Sequence, residues 1–92
     1  MAARKRDRLQ VIHDILRVIR DNRNKIKPTH LLYKSNLSHQ MMKDYVEELL
    51  GKELITQNQE GRTKFYQLTD KGFTYLDQYN VVTSFLESFG LE

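Results

Sequence analysis

The stretch "SNLSHQMMKDYVEELL", residues 35–50, carries the clearest helix signal in the chain. Ser38 is a favourable N-cap, because its hydroxyl can accept a hydrogen bond from a first-turn N–H that has no helical partner. Apolar residues then recur at the spacing of one helix face until Gly51 ends the pattern. These inner residues are Met42, Tyr45, Val46, Leu49 and Leu50. The outer face is polar and consists of His39, Gln40, Lys43, Asp44 and Glu47. The stretch therefore predicts an amphipathic helix over residues 38–50.

Two more helices are predicted before this stretch. The first covers residues 6–21, where apolar side chains follow a helical period. Its apolar positions are Leu9, Val11, Ile12, Ile15, Leu16, Val18 and Ile19. Pro28 suits the first turn of a second, short helix over residues 29–34, because its missing N–H would have no partner there. The apolar candidates of that helix are Leu31, Leu32 and Tyr33. Between the two helices, residues 25–27 are expected to form a very short strand around Ile26.

The pattern changes from helix to strand after the third helix. Residues 54–59, "LITQNQ", and residues 63–68, "TKFYQL", are rich in β-branched and aromatic side chains and flank "EGR". Gly61 can adopt the left-handed conformation of a tight turn, which predicts a β-hairpin. Thr69 then caps a last helix, with Asp70 in its first turn. The expected fold is mainly α with a small β-hairpin (α+β), in which a helix-turn-helix is followed by a hairpin wing and a C-terminal helix.

Composition and charge restrict the possible functions. The 92 residues contain 39% hydrophobic residues and no cysteine, which fits one domain without disulfides or thiolate metal sites. The net charge of +3 conceals an asymmetry, because residues 1–34 hold ten basic and three acidic side chains, a net +7. Residues 35–92 hold five basic and nine acidic side chains, a net −4. A basic first third points to a polyanion partner, or alternatively to an arginine-rich helix face in water.

Two segments resemble a known family. Residues 33–55 read "YKSNLSHQMMKDYVEELLGKELI", with a tyrosine, an Asn-Leu-Ser turn, a helix and a Leu-Ile pair that opens the hairpin. Residues 66–72 read "YQLTDKG", which matches a Tyr-x-Leu-Thr-x-x-Gly exit from the wing. Together they are similar to the archaeal winged helix-turn-helix family of small DNA-binding proteins and predicted transcriptional regulators. The similarity extends over roughly residues 9–79.

This resemblance implies a winged-helix fold, binding to double-stranded DNA and, for some members, a dimer formed by a C-terminal coiled coil. We expect residues 1–92 to form a single domain, with the core helices and wing in residues 6–69 and the C-terminal helix in residues 70–89. The chain departs from the family pattern at a few positions. His39 stands where a tyrosine is common, Asp44 where a basic residue is common, and Glu53 where a glycine is expected before the Leu-Ile pair.

The polar positions of the helix-turn-helix and wing are the candidates for DNA contact. They are Lys25, Lys27, His30, Lys34, Ser38, His39, Gln40, Lys43, Arg62 and Lys64. The lysines and His30 around the second helix are expected to contact phosphates, and Arg62 and Lys64 on the wing are expected to contact phosphates or the minor groove. The alternatives are a solvated polar helix face and a charged hairpin that resists edge pairing. The basic start "ARKR", residues 3–6, is either an arm that adds affinity or a solvated tail.

The N-terminal half of the third helix is expected to face the bases. Gln40 can pair with an adenine edge, and Lys43 can reach guanine or a phosphate. Ser38 and the free N–H groups beside it can bind a phosphate. Asp44 can accept a hydrogen bond from cytosine N4, or orient Lys43 or a neighbouring arginine. Glu47 and Glu48 must then point away from the duplex. Together with Asp44, they support an alternative role of the third helix in binding another protein.

The last helix has more large apolar residues than a core of this size can cover. They are Phe73, Leu76, Tyr79, Val82, Phe85, Leu86 and Phe89. A stripe of this kind usually marks an interface, which predicts a two-fold homodimer built on this helix. The alternative is a helix that folds back at Asn80 and completes its own core.

The sequence favours a non-enzymatic function. No Ser-His-Asp set, glycine-rich phosphate loop or paired carboxylates stands out, and His13, His30 and His39 lack zinc-ligand spacing. We therefore expect no cofactor, metal, small-molecule ligand or membrane partner. The predicted function is that of a DNA-binding transcriptional regulator in the cytoplasm, associated with the nucleoid. The alternatives are a protein–protein interaction module and a sequence-neutral nucleoid protein.

Overall fold

The computed structural model describes residues 6–91 and has four helices and one hairpin in this part of the chain. The elements are α1 (Arg8–Asp21), α2 (Pro28–Ser35), α3 (His39–Gly51), β1 (Ile55–Glu60), β2 (Thr63–Leu68) and α4 (Asp70–Ser88). This order confirms the predicted helix-turn-helix, wing and C-terminal helix. The short strand expected at residues 25–27 is reduced to one bridge, in which Ile26 and Tyr66 exchange backbone hydrogen bonds of 3.2 and 2.9 Å.

Polar side chains begin three of the helices. The Asp7 carboxylate accepts a hydrogen bond from Gln10 N at 2.8 Å and thereby caps α1. Ser38 and Thr69 cap α3 and α4 in the same way, as the sequence predicts. Helix α2 ends at Asn36, whose φ of 54° turns the chain sharply before α3. These local interactions contribute to the boundaries of the helices.

Helix α1 is the centre of the hydrophobic core. Its residues Ile15, Leu16 and Ile19 have no solvent exposure, because α2, β2 and α4 all pack against this helix. The other helices and the hairpin each contribute buried apolar side chains to the same cluster. These include Leu31, Met42, Val46, Leu49, Ile55, Leu68 and Leu76. A single core therefore joins the helix-turn-helix, the hairpin and the first half of α4.

The Leu-Thr-x-x-Gly motif forms the junction between hairpin and α4. Thr69 N donates to Leu54 O at 3.1 Å, and Thr69 Oγ1 donates to Glu53 O at 2.6 Å. Gly72 lies so close to the residue before β1 that a Cβ atom at Gly72 would be 2.3 Å from Leu54 O. Glu53 itself has a φ of 62°, which explains why glycine is expected at this position in the resembling family.

Helix α4 continues past the core instead of folding back. It is uninterrupted through Asn80, so the expected alternative of a turn at this residue is wrong. One face of its first half packs on the core, and Leu76, with 1% exposure, belongs to the core and not to an interface. Phe73 and Tyr79 are also partly covered within the protomer. Beyond Tyr79 the large apolar residues are exposed. They are Val81, Val82, Phe85, Leu86 and Phe89, followed by Leu91 after the helix.

No helix within residues 6–91 combines the length and apolar content needed to span a membrane.

The close approach of Gly72 to Leu54 predicts an effect of substitution on stability. Gly72→Ala should lower the free energy of unfolding by about 1–3 kcal/mol, because the added methyl group overlaps a backbone oxygen that cannot move independently. Gly51→Ala is the matched control, since a Cβ at Gly51 meets nothing within 4 Å. Urea unfolding followed by circular dichroism measures both. Equal stability of the two variants would contradict the close approach of α4 to Leu54.

Candidate nucleic-acid interface

The outer face of α3 is open to solvent, as its polar pattern predicts. The exposed residues on this face are His39, Gln40, Lys43, Asp44 and Glu47. The inner residues Met42, Val46 and Leu49 are buried against the core. Because the apolar side of α3 packs on the core, its polar side is the part of the helix-turn-helix that can contact a partner.

A groove of about 570 Å³ lies between α2, α3 and the hairpin. Its floor is apolar and includes Leu32, Met42, Val46, Leu50 and Tyr66. Its polar lining residues include Thr29 on α2, His39 and Lys43 on α3, and Gln57 on β1. Burial raises the pKa of Tyr66 above the ordinary value for tyrosine, so its hydroxyl stays neutral. The groove brings α2, α3 and the wing together as one concave surface.

The basic side chains of α1 and of the residues just before it are largely matched by carboxylates. The pairs are Arg6–Asp14 at 2.9 Å, Arg8–Glu48, Arg17–Asp21 at 3.7 Å and Arg20–Asp21 at 3.0 Å. Exposed ion pairs contribute little to stability, so their main consequence here is to cancel charge. The charge asymmetry of the sequence therefore does not make α1 a cationic surface. Of the basic start "ARKR", residues 3–5 lie outside the described residues.

Several basic residues of the helix-turn-helix and wing remain without a carboxylate partner in residues 6–91. They include Lys27 before α2, Lys43 on α3, Arg62 in the hairpin turn and Lys64 on β2. All four are exposed. Positive charge that is free to meet phosphates thus occurs on the elements that surround the groove.

Other predicted contact residues are engaged within the protein. Lys25 Nζ lies 2.8 Å from Glu60 Oε2 and 4.5 Å from the centre of the Phe65 ring. Lys34 Nζ donates to Asn22 Oδ1 at 3.4 Å. The Ser38 hydroxyl accepts from Met41 N at 3.1 Å. His30 is exposed on α2 without such a contact among residues 6–91. A phosphate contact by Lys25 would therefore require its ion pair with the wing to break.

The acidic residues of α3 divide into two groups. Glu48 pairs with Arg8 and, at 3.4 Å, with Lys52, so it points away from the groove as expected. Glu47 does not, because it lines the groove beside Lys43. Asp44 is exposed on the same face and accepts a hydrogen bond from Gln40 Nε2 at 2.9 Å. The outer face of α3 therefore carries two carboxylates beside its single lysine.

The sequence does not reveal two features of this region. Arg6 Nη1 donates to Asp14 Oδ2 at 2.9 Å, while Nη2 donates to the carbonyls of Ser35 and Asn36 at 3.2 Å. One guanidinium thus ties α1 to the turn before α3, a contact across 29 or more residues that no local pattern indicates. Tyr33, an expected core residue, is instead 77% exposed and lines the groove.

The histidines lie apart from each other. His13 stacks on Tyr79 with ring centroids 4.2 Å apart, whereas His30 and His39 are exposed on α2 and α3. In the part of the chain that the structure describes, no three His, Asp or Glu side chains come together as a metal-binding group.

A family model described as winged helix-turn-helix matches residues 5–87. No curated protein sequence matches the chain. Among solved structures, the chain is similar to Sso10a-2, a DNA-binding protein from Sulfolobus solfataricus. The two share 20% identity with a TM-score of 0.76 over 91% of this chain and 85% of that one.

Two other solved structures have the same fold. A winged-helix DNA-binding protein from STIV is 16% identical, with a TM-score of 0.73 over 86% of this chain and 91% of that one. MepR, a transcription regulator of a multidrug efflux pump in Staphylococcus aureus, is 14% identical, with a TM-score of 0.75 over 86% of this chain. The alignment covers only 60% of MepR, so the regulator contains further structure outside it.

Proposed function

We propose a DNA-binding regulatory function for this chain, which belongs to the winged helix-turn-helix family. The observation that carries the proposal is the distribution of charge. The arginines of α1 are paired with carboxylates, whereas Lys27, Lys43, Arg62 and Lys64, on or beside α2, α3 and the hairpin, have no carboxylate partner within residues 6–91. The descriptions of Sso10a-2 as a DNA-binding protein and MepR as a transcription regulator support the same conclusion.

In the proposed complex, α3 enters the major groove and the hairpin lies along the neighbouring backbone. The major groove is about 12 Å wide and admits one helix. The first two turns of α3 carry Gln40 and Lys43, which are both exposed, toward the base edges. Lys27, Arg62 and Lys64 contact phosphates on either side. The mechanism is non-covalent: phosphate contacts supply most of the affinity and α3 supplies the sequence preference.

The protein acts as a homodimer in this proposal. Val82, Phe85, Leu86 and Phe89 form an exposed apolar surface on α4, and exposed large apolar groups in such numbers favour burial against a partner. A second groove of about 720 Å³ continues this surface to Leu9 and His13 of α1. A two-fold dimer would present two α3 helices to sites spaced by about 34–36 Å or a multiple of it. The proposed place of action is the nucleoid in the cytoplasm.

A protein-binding role is the second candidate function. It is favoured by Asp44 and Glu47, which place two negative charges on the outer face of α3. A basic protein surface would suit this face better than a phosphate backbone does. A third possibility, sequence-neutral binding to the nucleoid, uses the same phosphate contacts without base recognition.

Duplex titration separates these functions. The wild-type protein should bind random and genomic DNA with an affinity that falls as salt rises. Arg62→Ala should reduce the slope of log K against log salt by about 0.9 for each protomer on the duplex, and Lys43→Ala should weaken binding. Arg17→Ala is the control, because it removes the same charge from α1, where Arg17 pairs with Asp21. Fluorescence anisotropy at two salt concentrations measures all four proteins. Absence of binding at low salt, or an equal effect of Arg17→Ala, would contradict DNA binding by this surface.

The dimer has its own test. Phe85→Glu should convert the protein from twice the 11.0 kDa chain mass to a folded monomer, because a carboxylate would be buried in an apolar interface. Ser84→Glu places the same charge on the neighbouring exposed position outside the apolar stripe and should leave the dimer intact. Sedimentation equilibrium gives the mass, and circular dichroism verifies folding. A wild-type monomer at micromolar concentration would overturn the proposed dimer.

A further inference from the structure

The amide of Gln40 is held in one orientation on the outer face of α3. Its Nε2 donates to Asp44 Oδ1 at 2.9 Å, one helical turn further along the same exposed face. A free glutamine amide rotates and presents either its oxygen or its nitrogen to a partner. An ionised carboxylate only accepts hydrogen bonds, so it selects the amide nitrogen and turns the amide oxygen away from itself. Asp44 therefore decides which way the Gln40 amide points.

The remaining hydrogen-bonding groups of Gln40 form a donor–acceptor pair. One N–H is used by Asp44, which leaves one N–H and the Oε1 oxygen. In the major groove, adenine presents an acceptor at N7 and a donor at N6, and this pair complements the free edge of the amide. Guanine presents two acceptors, N7 and O6, so its O6 would face the amide oxygen without a hydrogen. We infer that Asp44 is a positioning residue that fixes Gln40 to read an adenine, an inference that rests on the proposed DNA binding.

The charge of Asp44 acts on all duplexes alike. A carboxylate near the duplex repels phosphates whatever the sequence, so it weakens general binding. At a site with adenine opposite Gln40, the oriented amide offsets this repulsion. At other sites, it does not. This sequence-independent repulsion cancels in the ratio between specific and general binding, so the discrimination comes from the oriented amide. The orientation gives a physical reason for an aspartate at a position where the resembling family commonly has a basic residue.

The experiment begins with the full chain and a pool of randomised duplexes. Selection with the wild-type protein should enrich an adenine at one fixed position in each half-site. Replacing this adenine by guanine should weaken binding by about 5- to 150-fold, the range for loss of a bidentate base contact. The analogue 7-deaza-adenine, which lacks the N7 acceptor, should also weaken binding by the wild type. Gln40→Ala should bind all three duplexes with nearly equal affinity.

Two variants with the same change in charge isolate the role of Asp44. Asp44→Asn keeps the shape of the side chain, but the new amide can donate hydrogen bonds as well as accept them. The Gln40 amide is then free to rotate and exchange its oxygen and nitrogen. Glu47→Gln removes one negative charge from the same exposed face. It leaves the hydrogen bond between Gln40 and Asp44 in place. Both variants should bind random duplex more tightly than the wild type. Only Asp44→Asn should lose most of the preference for adenine over guanine.

The possible outcomes distinguish a failure of this inference from a failure of the proposed DNA binding. Tight duplex binding without an adenine preference, or a preference that survives Gln40→Ala, would overturn the inference and leave DNA binding intact. An adenine preference unchanged in Asp44→Asn would show that Gln40 needs no positioning residue. Absence of duplex binding by every variant and by the wild type would overturn both.

Discussion

The burial of one face of α1 constrains the surface of the whole protein. Ile15, Leu16 and Ile19 are fully enclosed, because α2, β2 and α4 pack around them. The basic residues of α1 are consequently confined to its outer side, where Arg17 and Arg20 share Asp21. The positive charge of α1 is therefore largely neutralised in the fold. Exposed basic residues without a carboxylate partner in residues 6–91 instead include Lys27, Lys43, Arg62 and Lys64, which lie on α3, on the hairpin or just before α2.

Local patterns predict most of this fold. Each helix has its own apolar period, and α1, α3 and α4 begin with a side-chain N-cap. These interactions lie within a few residues of each other, so they can be predicted without knowledge of the tertiary structure. Ser38 and Thr69 cap the helices that the sequence assigns to them. The hairpin follows from β-branched residues on either side of Gly61, whose φ is 61°. Once Met42, Val46 and Leu49 are assigned to the core, the polar positions that remain define the outer face of α3.

Contacts between distant residues are not predictable in the same way. Periodicity places Leu76 and Phe85 on one helix but cannot say that the first is buried by α1 and the second is beyond the end of the core. The Arg6 contact with the turn before α3 and the Lys25–Glu60 pair depend on how elements pack. The Gln40–Asp44 pair is local, but the partners expected for Asp44 were cytosine, Lys43 or a neighbouring arginine. The side-chain conformations pair it with Gln40 instead.

The central claim is that DNA meets the surface formed by α2, α3 and the hairpin, and not the arginines of α1. Backbone amide chemical shifts of the isotope-labelled protein, recorded during titration with a short random duplex at low salt, test this most directly. We expect the largest changes at residues 27–30, 38–44 and 61–64, with α1 nearly unaffected from Ile12 to Arg20. The largest changes on α1, with α3 and the hairpin silent, would contradict it.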